Sequence, residues 1–280
     1  MVTAPDLRRL IGEAVRSRVA GPDADAAHAR IWDTPGARWF TPADPIWRVH
    51  SDASMFVAGI TALLLQSLHP SAMAGVAGHS GYRSDPWGRL QRTSHYLATT
   101  TFGTIEHAQE AIAAVRSVHE RVRGTDDEGR PYRASDPDLL RWVHIAEAWS
   151  FLTAHQRHGA DPLTPDEADT YVAQSAVSAS ALGATDLPMT VAELEAALAD
   201  ARDGLRATPA ARDAAAFLLR EPPLPWAARP GYQLLALGAV ALLPDWAREE
   251  LDLPRRRGAS VAGALGTRLV RWGLAALDQG

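Results

Sequence analysis

Residues 68–104 read LHPSAMAGVAGHSGYRSDPWGRLQRTSHYLATTTFGT, and residues 115–124 read VRSVHERVRG. The first stretch predicts a helix over Pro86–Thr101 that sets Arg89, Arg92, Thr93 and Tyr96 on one face, following the i, i+3, i+4, i+7 rule. Asp85-Pro86 opens it, with an acceptor at the N-cap and proline at the first helical position. Gly103 sits where a C-terminal glycine belongs. The second stretch closes a helix predicted over Ile105–Arg123, in which Ile112, Val115, His119 and Val122 recur as a buried stripe. An arginine-rich face and a histidine within an apolar stripe thus lie on consecutive helices.

Helical periodicity continues in both directions, and no stretch of apolar alternation is bounded by hairpin turns. Further helices are expected over Asp6–Val19, Ser54–Leu68, Ser71–Gly78, Asp136–His158, Pro165–Leu182, Val191–Ala207, Pro209–Leu219, Gly231–Leu243, Pro244–Leu251 and Ser260–Leu277. Thr164-Pro165-Asp166-Glu167 and Asp136-Pro137-Asp138 repeat the cap-proline-acid start signal. Residues 22–52, 124–135 and 220–229 read as the longer loops. Trp32, Trp39 and Trp47 suggest that the first of these packs on the body. There is no repeat or interdomain linker. The expectation is one all-α domain over residues 1–280, with its core at about residues 46–254: a bundle of about ten or more helices, globin-like in packing style.

Composition narrows the chemistry. The 280 residues are 46% hydrophobic, enough for a large core. A net charge of −5 argues against a nucleic-acid platform, and the one basic run, Arg255–Arg257, reads as a solvated loop. Cysteine is absent, which removes disulfides, thiolate nucleophiles and a cysteine-ligated haem. Lysine is absent too, which removes Schiff-base chemistry. The longest apolar runs, Leu234–Leu243 and Val57–Leu68, fall short of the roughly 20 residues of a spanning helix. No secretory signal is visible at the charged N-terminus, and a soluble, cytoplasmic protein is expected.

Two constellations can carry chemistry. His119 on the rigid stripe, with Arg116 and Arg123 flanking it at −3 and +4, can hold a haem iron and pair with its propionates. Taken alone, a core histidine bonded to a carbonyl, with arginines in water, is the commoner outcome. Arg89, Arg92 and Thr93 can donate hydrogen bonds to dioxygen or a developing oxyanion, or can simply be a solvated face. The thin apolar stripe of that helix (Leu90, Leu97, Thr101) favours partial burial. His144-x-x-Glu147 reverses the Glu-x-x-His order of di-iron bundles and has no second unit. A zinc site from His69, His79 and His144 has no supporting spacing. Nucleophile-elbow and dinucleotide motifs are missing.

With these residues in view, the chain resembles the rubber oxygenase and MpaB-type oxygenase superfamily, which includes latex clearing proteins and many bacterial proteins. The resemblance rests on His69-Pro70, on DPWGRLQRT at 85–93 and on HERVRG at 119–124, and extends from about Ile46 to Pro254. It implies an all-helical fold with b-type haem in the core and His119 as proximal ligand. It also implies a distal Arg-x-x-Lys-Thr motif, here Arg89, Arg92 and Thr93, with arginine replacing the lysine. Arginine stays protonated and is a poor iron ligand, so direct distal ligation by Arg92 is not expected. The reading is a haem b-dependent oxygenase that takes dioxygen and an apolar, alkene-like small molecule or lipid/terpenoid. The alternatives are a haem-binding sensor or carrier without oxygenase activity, and a cofactor-free helical scaffold. The roles of His69, His79 and His144, the substrate, the electron donor and the oligomeric state stay open.

Overall fold

The computed structural model describes residues 4–277. It is built from α1 (Ala4–Ala20), α2 (Ala24–His28), α3 (Pro45–Ser51), α4 (Met55–Gln66), α5 (Pro70–His79), α6 (Pro86–Phe102) and α7 (Ile105–Arg121). These are followed by α8 (Pro137–His158), α9 (Pro165–Leu182), α10 (Val191–Ala201), α11 (Pro209–Arg220), α12 (Arg229–Leu242), α13 (Asp245–Glu250) and α14 (Ala259–Leu274). One hydrophobic core, from Phe40 to Val270, joins α3–α5 and α8–α14, with Leu97 of α6 packed against it.

Start signals explain most of the boundaries. The carboxylate or hydroxyl of Asp85, Asp136, Thr164 and Thr208 accepts a backbone N–H of the first turn, and proline follows each. At Thr164 the reciprocal bond from the N-cap backbone to Glu167 completes a capping box. His69 plays the cap role for α5, where its Nδ1 accepts Ala72 N–H at 3.4 Å. That assigns a structural role to one histidine of the sequence motif.

The 22-residue α8 is the central pillar, touching α3, α4, α5, α9, α10, α12 and α14. Most of its sides are covered, which is why its apolar residues are not confined to one face. Helices α12 and α14 cross at Gly238 and Gly263. A Cβ on either glycine would stand 2.5–2.6 Å from the other's Cα, so only the absence of side chains lets the backbones meet.

Three expectations are corrected. Residues 22–52 are not an irregular loop. They hold α2, a π-helical turn over Ala29–Asp33, and α3, whose start repeats the Asp-Pro pair but not the cap bond, because the Asp44 carboxylate accepts from Thr41 and Gln174 instead. The strand-free reading fails at 124–135, where β1 (Arg123–Thr125) pairs antiparallel with β2 (Pro131–Arg133). The turn follows its own chemistry: Asp126 accepts the Gly129 N–H, and Gly129 takes a φ of +80°. The buried Asp126 carboxylate also accepts from Ser71, Glu128 and Arg130, which outweighs its burial and holds it well below the usual carboxylate range. Finally, α10 stops at Ala201, and a 3₁₀ turn over Arg202–Gly204 replaces its predicted last turn.

No single described helix is long and apolar enough to cross a membrane. The pair α4 and α5 passes that test only jointly, and is bent by 109°.

Candidate functional site

Gly103 and Thr104 connect α6 to α7, and the two helices pack on each other as a hairpin. Counted along the chain, Arg89 lies 14 residues before Gly103 and His119 lies 15 after Thr104. The connection therefore joins the helix that carries the arginine-rich segment to the helix that carries the histidine.

The four residues of the α6 face have different environments. Arg89 runs inward and donates to Ser80 Oγ at 3.2 Å. No carboxylate pairs with it among the described residues, and burial, with Arg92 nearby, pulls its pKa below the usual arginine value. Arg92 points outward, 65% exposed, and donates to the Asp85 carboxylate at 3.1 Å. Thr93 is exposed and Tyr96 is half-buried. The expectation of a partly buried Arg/Thr face thus holds for Arg89 and Tyr96 and fails for Arg92 and Thr93.

On α7, Ala108 and Ile112 are buried, and Val115 and His119 continue the same stripe half-buried. His119 Nδ1 is buried without a partner, and neither ring nitrogen makes a hydrogen bond. Burial lowers its pKa, which leaves a neutral imidazole with a lone pair available. The commoner outcome, a histidine satisfied by a carbonyl, is therefore not what α7 carries.

The flanking arginines need a correction. Helix α7 ends at Arg121, where Val122 turns extended and its N–H bonds to the His119 carbonyl. Arg123 lies in β1, so the helical spacing that nominated it does not exist. Arg116 is on α7 but lines an outward groove of about 460 Å³ with Gln109, Ile112, Ala113, Ser117 and Glu120. His119 does not line that groove.

Sequence reasoning missed an interior polar cluster behind the hairpin. Glu147 of α8 accepts a hydrogen bond from Gln66 Nε2 of α4 at 3.1 Å. Its charge acts on Tyr96 of α6 and Tyr171 of α9, and raises the pKa of both phenols in addition to the larger effect of burial. Ser178 of α9 stands beside the Tyr96 hydroxyl. The Tyr171 hydroxyl is buried without a partner. His50 Nδ1 shares a 2.8 Å hydrogen bond with Thr101 Oγ1, and its ring meets Tyr171 edge-on at 6.0 Å. Glu147, His50, Tyr96 and Arg89 are deeply enclosed by the fold yet each keeps some accessible side-chain surface. These residues bring polar side chains of α3, α6, α8 and α9 into the interior. The sequence signal was present: His144, Glu147, Phe151, His155 and His158 share one stripe of α8.

Among the described residues, no group of three or more histidine or acidic side chains is arranged to hold a metal ion directly. His69 is a cap, His79 is exposed at the end of α5, and His144 is buried with Nε2 unpartnered. The weakly supported zinc site finds no geometry.

No curated protein and no solved structure matches the chain. The family model described as ER-bound oxygenase mpaB/B′/Rubber oxygenase, catalytic domain, matches residues 47–272. That span takes in the α6–α7 hairpin, the central α8 and the Gly–Gly crossing of α12 with α14, and the chain belongs to this oxygenase catalytic-domain family.

Proposed function

We propose that the protein is a haem b-dependent oxygenase that uses dioxygen to attack an apolar, alkene-like small molecule or lipid/terpenoid. The observation that carries this reading is the α6–α7 hairpin. It presents an imidazole without a hydrogen-bond partner, His119, and an inward guanidinium without an acid, Arg89. Buried polar groups left unmatched are costly, and a haem is a ligand that answers both: it needs a neutral nitrogen donor and carries carboxylates. Bound there, haem would supply the redox centre for oxygen chemistry.

The remaining work falls to the chain's own residues. His119, kept neutral by burial and fixed on a helix, would hold the iron through a ring nitrogen. Arg89 keeps its proton and supplies fixed N–H donors to negative charge, whether on a propionate or on an oxygen that becomes anionic. Arg92, exposed and paired with Asp85, would not ligate the iron. Thr93, one residue on, can donate or accept a single hydrogen bond. Arg116 of α7 and Arg123 of β1 are exposed cations that would be the partners of the haem carboxylates.

The test is haem reconstitution, with an absorption spectrum and pyridine haemochrome quantification beside His119→Ala. About one haem per chain, lost in the variant, is the expected result. A protein that refuses haem, or a variant that keeps full occupancy, overturns the assignment.

A further inference from the structure

Helix α14 carries its side chains inside out. Towards the body it buries the small residues Gly263, Gly266 and Gly273. Towards solvent it presents Val261, Leu265, Leu269 and Trp272, with Val261 63% and Leu265 51% exposed. Counted from Val261, and with Arg268 among them, these outward residues fall at i+4, i+7, i+8 and i+11. That spacing confines them to a wedge of about 100° on one face, roughly 16 Å long. An amphipathic helix on a soluble body turns its large apolar residues inward. Single exposed apolar residues are ordinary, but four in line on one helix are a patch. The patch continues beyond α14. Helix α12 runs antiparallel to it, with Gly238 against Gly263, Leu235 against Gly266 and Gly231 near Leu269. That register places Trp226, just before α12, at the Trp272 end, and Trp226 is 84% exposed. At the same end the Arg8 Nε of α1 donates to the Trp272 carbonyl at 2.8 Å, and its guanidinium lies 6.0 Å from the Trp272 ring centre.

Charge decides what this face meets. The chain as a whole has a net charge of −5, yet residues 222–244 and 253–277, which supply the patch on α12 and α14, contain no aspartate or glutamate. They carry Arg229, Arg255, Arg256, Arg257, Arg268 and Arg271. Arg255 is paired with Asp245 and Arg271 with Asp52. Arg256, Arg257 and Arg268 are exposed and have no carboxylate partner among the described residues. A second copy of the chain, docked face to face, would set these cations against each other. The 16 residues of α14 are too few to span a bilayer. An anionic lipid surface answers both the apolar wedge and the surrounding cations. We infer that α14 lies flat on such a surface, with Val261, Leu265, Leu269, Trp272 and Trp226 in the boundary between headgroups and acyl chains, and Arg256, Arg257 and Arg268 on the lipid phosphates. Tryptophan and arginine suit this layer because each has an apolar body and a polar end. The inference stands apart from the oxygenase reading, because docking needs neither haem nor turnover.

The experiment is co-sedimentation of the full-length protein with vesicles of phosphatidylcholine alone and of equal parts phosphatidylcholine and phosphatidylserine. Binding to the mixed vesicles is expected to be at least about tenfold tighter than to phosphatidylcholine, and to weaken as salt is raised. Combining Leu265→Gln with Trp272→Gln should weaken binding to the mixed vesicles about tenfold or more. Combining Arg256→Gln with Arg257→Gln should weaken it by about tenfold as well, and leave binding to phosphatidylcholine alone unchanged. Val118→Gln and Met189→Gln remove exposed apolar side chains that lie off α14, and should change nothing. All these side chains are exposed, and circular dichroism on each variant separates a lost contact from a lost fold. Absence of binding, equal binding to the two kinds of vesicle, or binding indifferent to the Leu265 and Trp272 substitutions overturns the proposal. So does a dimer in light scattering that those two substitutions dissolve, because the face then belongs to a second copy.

Discussion

Arg271 of α14 donates through Nη2 to both carboxylate oxygens of Asp52 at 2.9 Å and to the His158 carbonyl at 3.1 Å. One guanidinium thereby ties the last helix to the α3–α4 turn and to the C-terminal end of α8. The Asp52 side chain is only 9% exposed. It also accepts the N–H groups of Ser54 and Ala160, and these bonds with Arg271 hold it below the usual carboxylate range despite its burial.

Removing Arg271 leaves that carboxylate buried without its cation, and a broken buried pair costs more than the pair contributed. Arg271→Ala is expected to lower stability by about 2–3 kcal/mol, read from urea unfolding. Adding Asp52→Asn to it should recover part of the loss, because the stranded charge is then gone. Full additivity of the two changes would show that they are not coupled.

The same accounting sets the pH dependence of stability. Glu147 keeps its proton in the fold up to about pH 7, while the unfolded chain releases it near 4.5. A raised carboxyl imposes no penalty below the unfolded value, and stability is lost as pH climbs through the window from about 4.5 to about 7. By linkage the loss is of order 3 kcal/mol. His50 and His144 act the opposite way: neutral in the fold, they withdraw stability as pH falls from about 6.5 towards 4. The difference between wild type and Glu147→Gln isolates the carboxyl. The variant should gain on wild type by about 3 kcal/mol between pH 4.5 and 7 and by nothing further above 7. A difference flat in pH contradicts the buried acid.

Much of this architecture was legible in local chemistry. The α6 start at Asp85-Pro86 and the α9 start at Thr164-Pro165 were readable because a cap and a proline act within a few residues. Asp44-Pro45 carried the same signal and was passed over, because prolines and tryptophans around it suggested a loop. The β1–β2 hairpin was hidden by its length, three residues per strand, although Asp126 and Gly129 spelled its turn. Spacing put His119 in line with the buried Ala108 and Ile112 of α7, where it is half-buried, but it could not show that α7 stops before Arg123. Nor could it separate Arg89 from Arg92. Both lie on the same helix face, and only the Ser80 hydroxyl on one side and the Asp85 carboxylate on the other distinguish them. Glu147 was visible only as a reversed metal motif, since its partners Gln66, Tyr96 and Tyr171 come from three other helices.

The Gly238–Gly263 crossing offers a stability test remote from the site. Gly263→Ala would put a methyl carbon 2.6 Å from Gly238 Cα and 3.0 Å from His158 Nε2. Backbone cannot yield as a flexible side chain can, so α14 must shift away from α12. Overpacking of this kind costs about 1–3 kcal/mol, and the upper end is expected here despite alanine's better helix propensity. Gly59→Ala is the control, because a Cβ there meets nothing within 4 Å. It should be neutral or stabilising in thermal melts.

Arg89 and Arg92 should differ in their effect on function in a way the motif alone does not anticipate. Arg89 is enclosed, lacks an acid among the described residues and bonds only to Ser80, so its charge is free to meet a bound anion. Arg92 spends its charge on Asp85 in water, where such pairs contribute little. Arg89→Ala is therefore expected to cut oxygen consumption in the haem-loaded protein by about a hundredfold, the scale of a lost preorganised donor. Arg92→Ala should cost no more than a few-fold. Arg89→Lys, which keeps the charge and loses the fork, should fall between them. Oxygen-electrode rates at matched haem occupancy decide the matter, and equal losses at the two positions would place Arg92 inside the site together with Arg89.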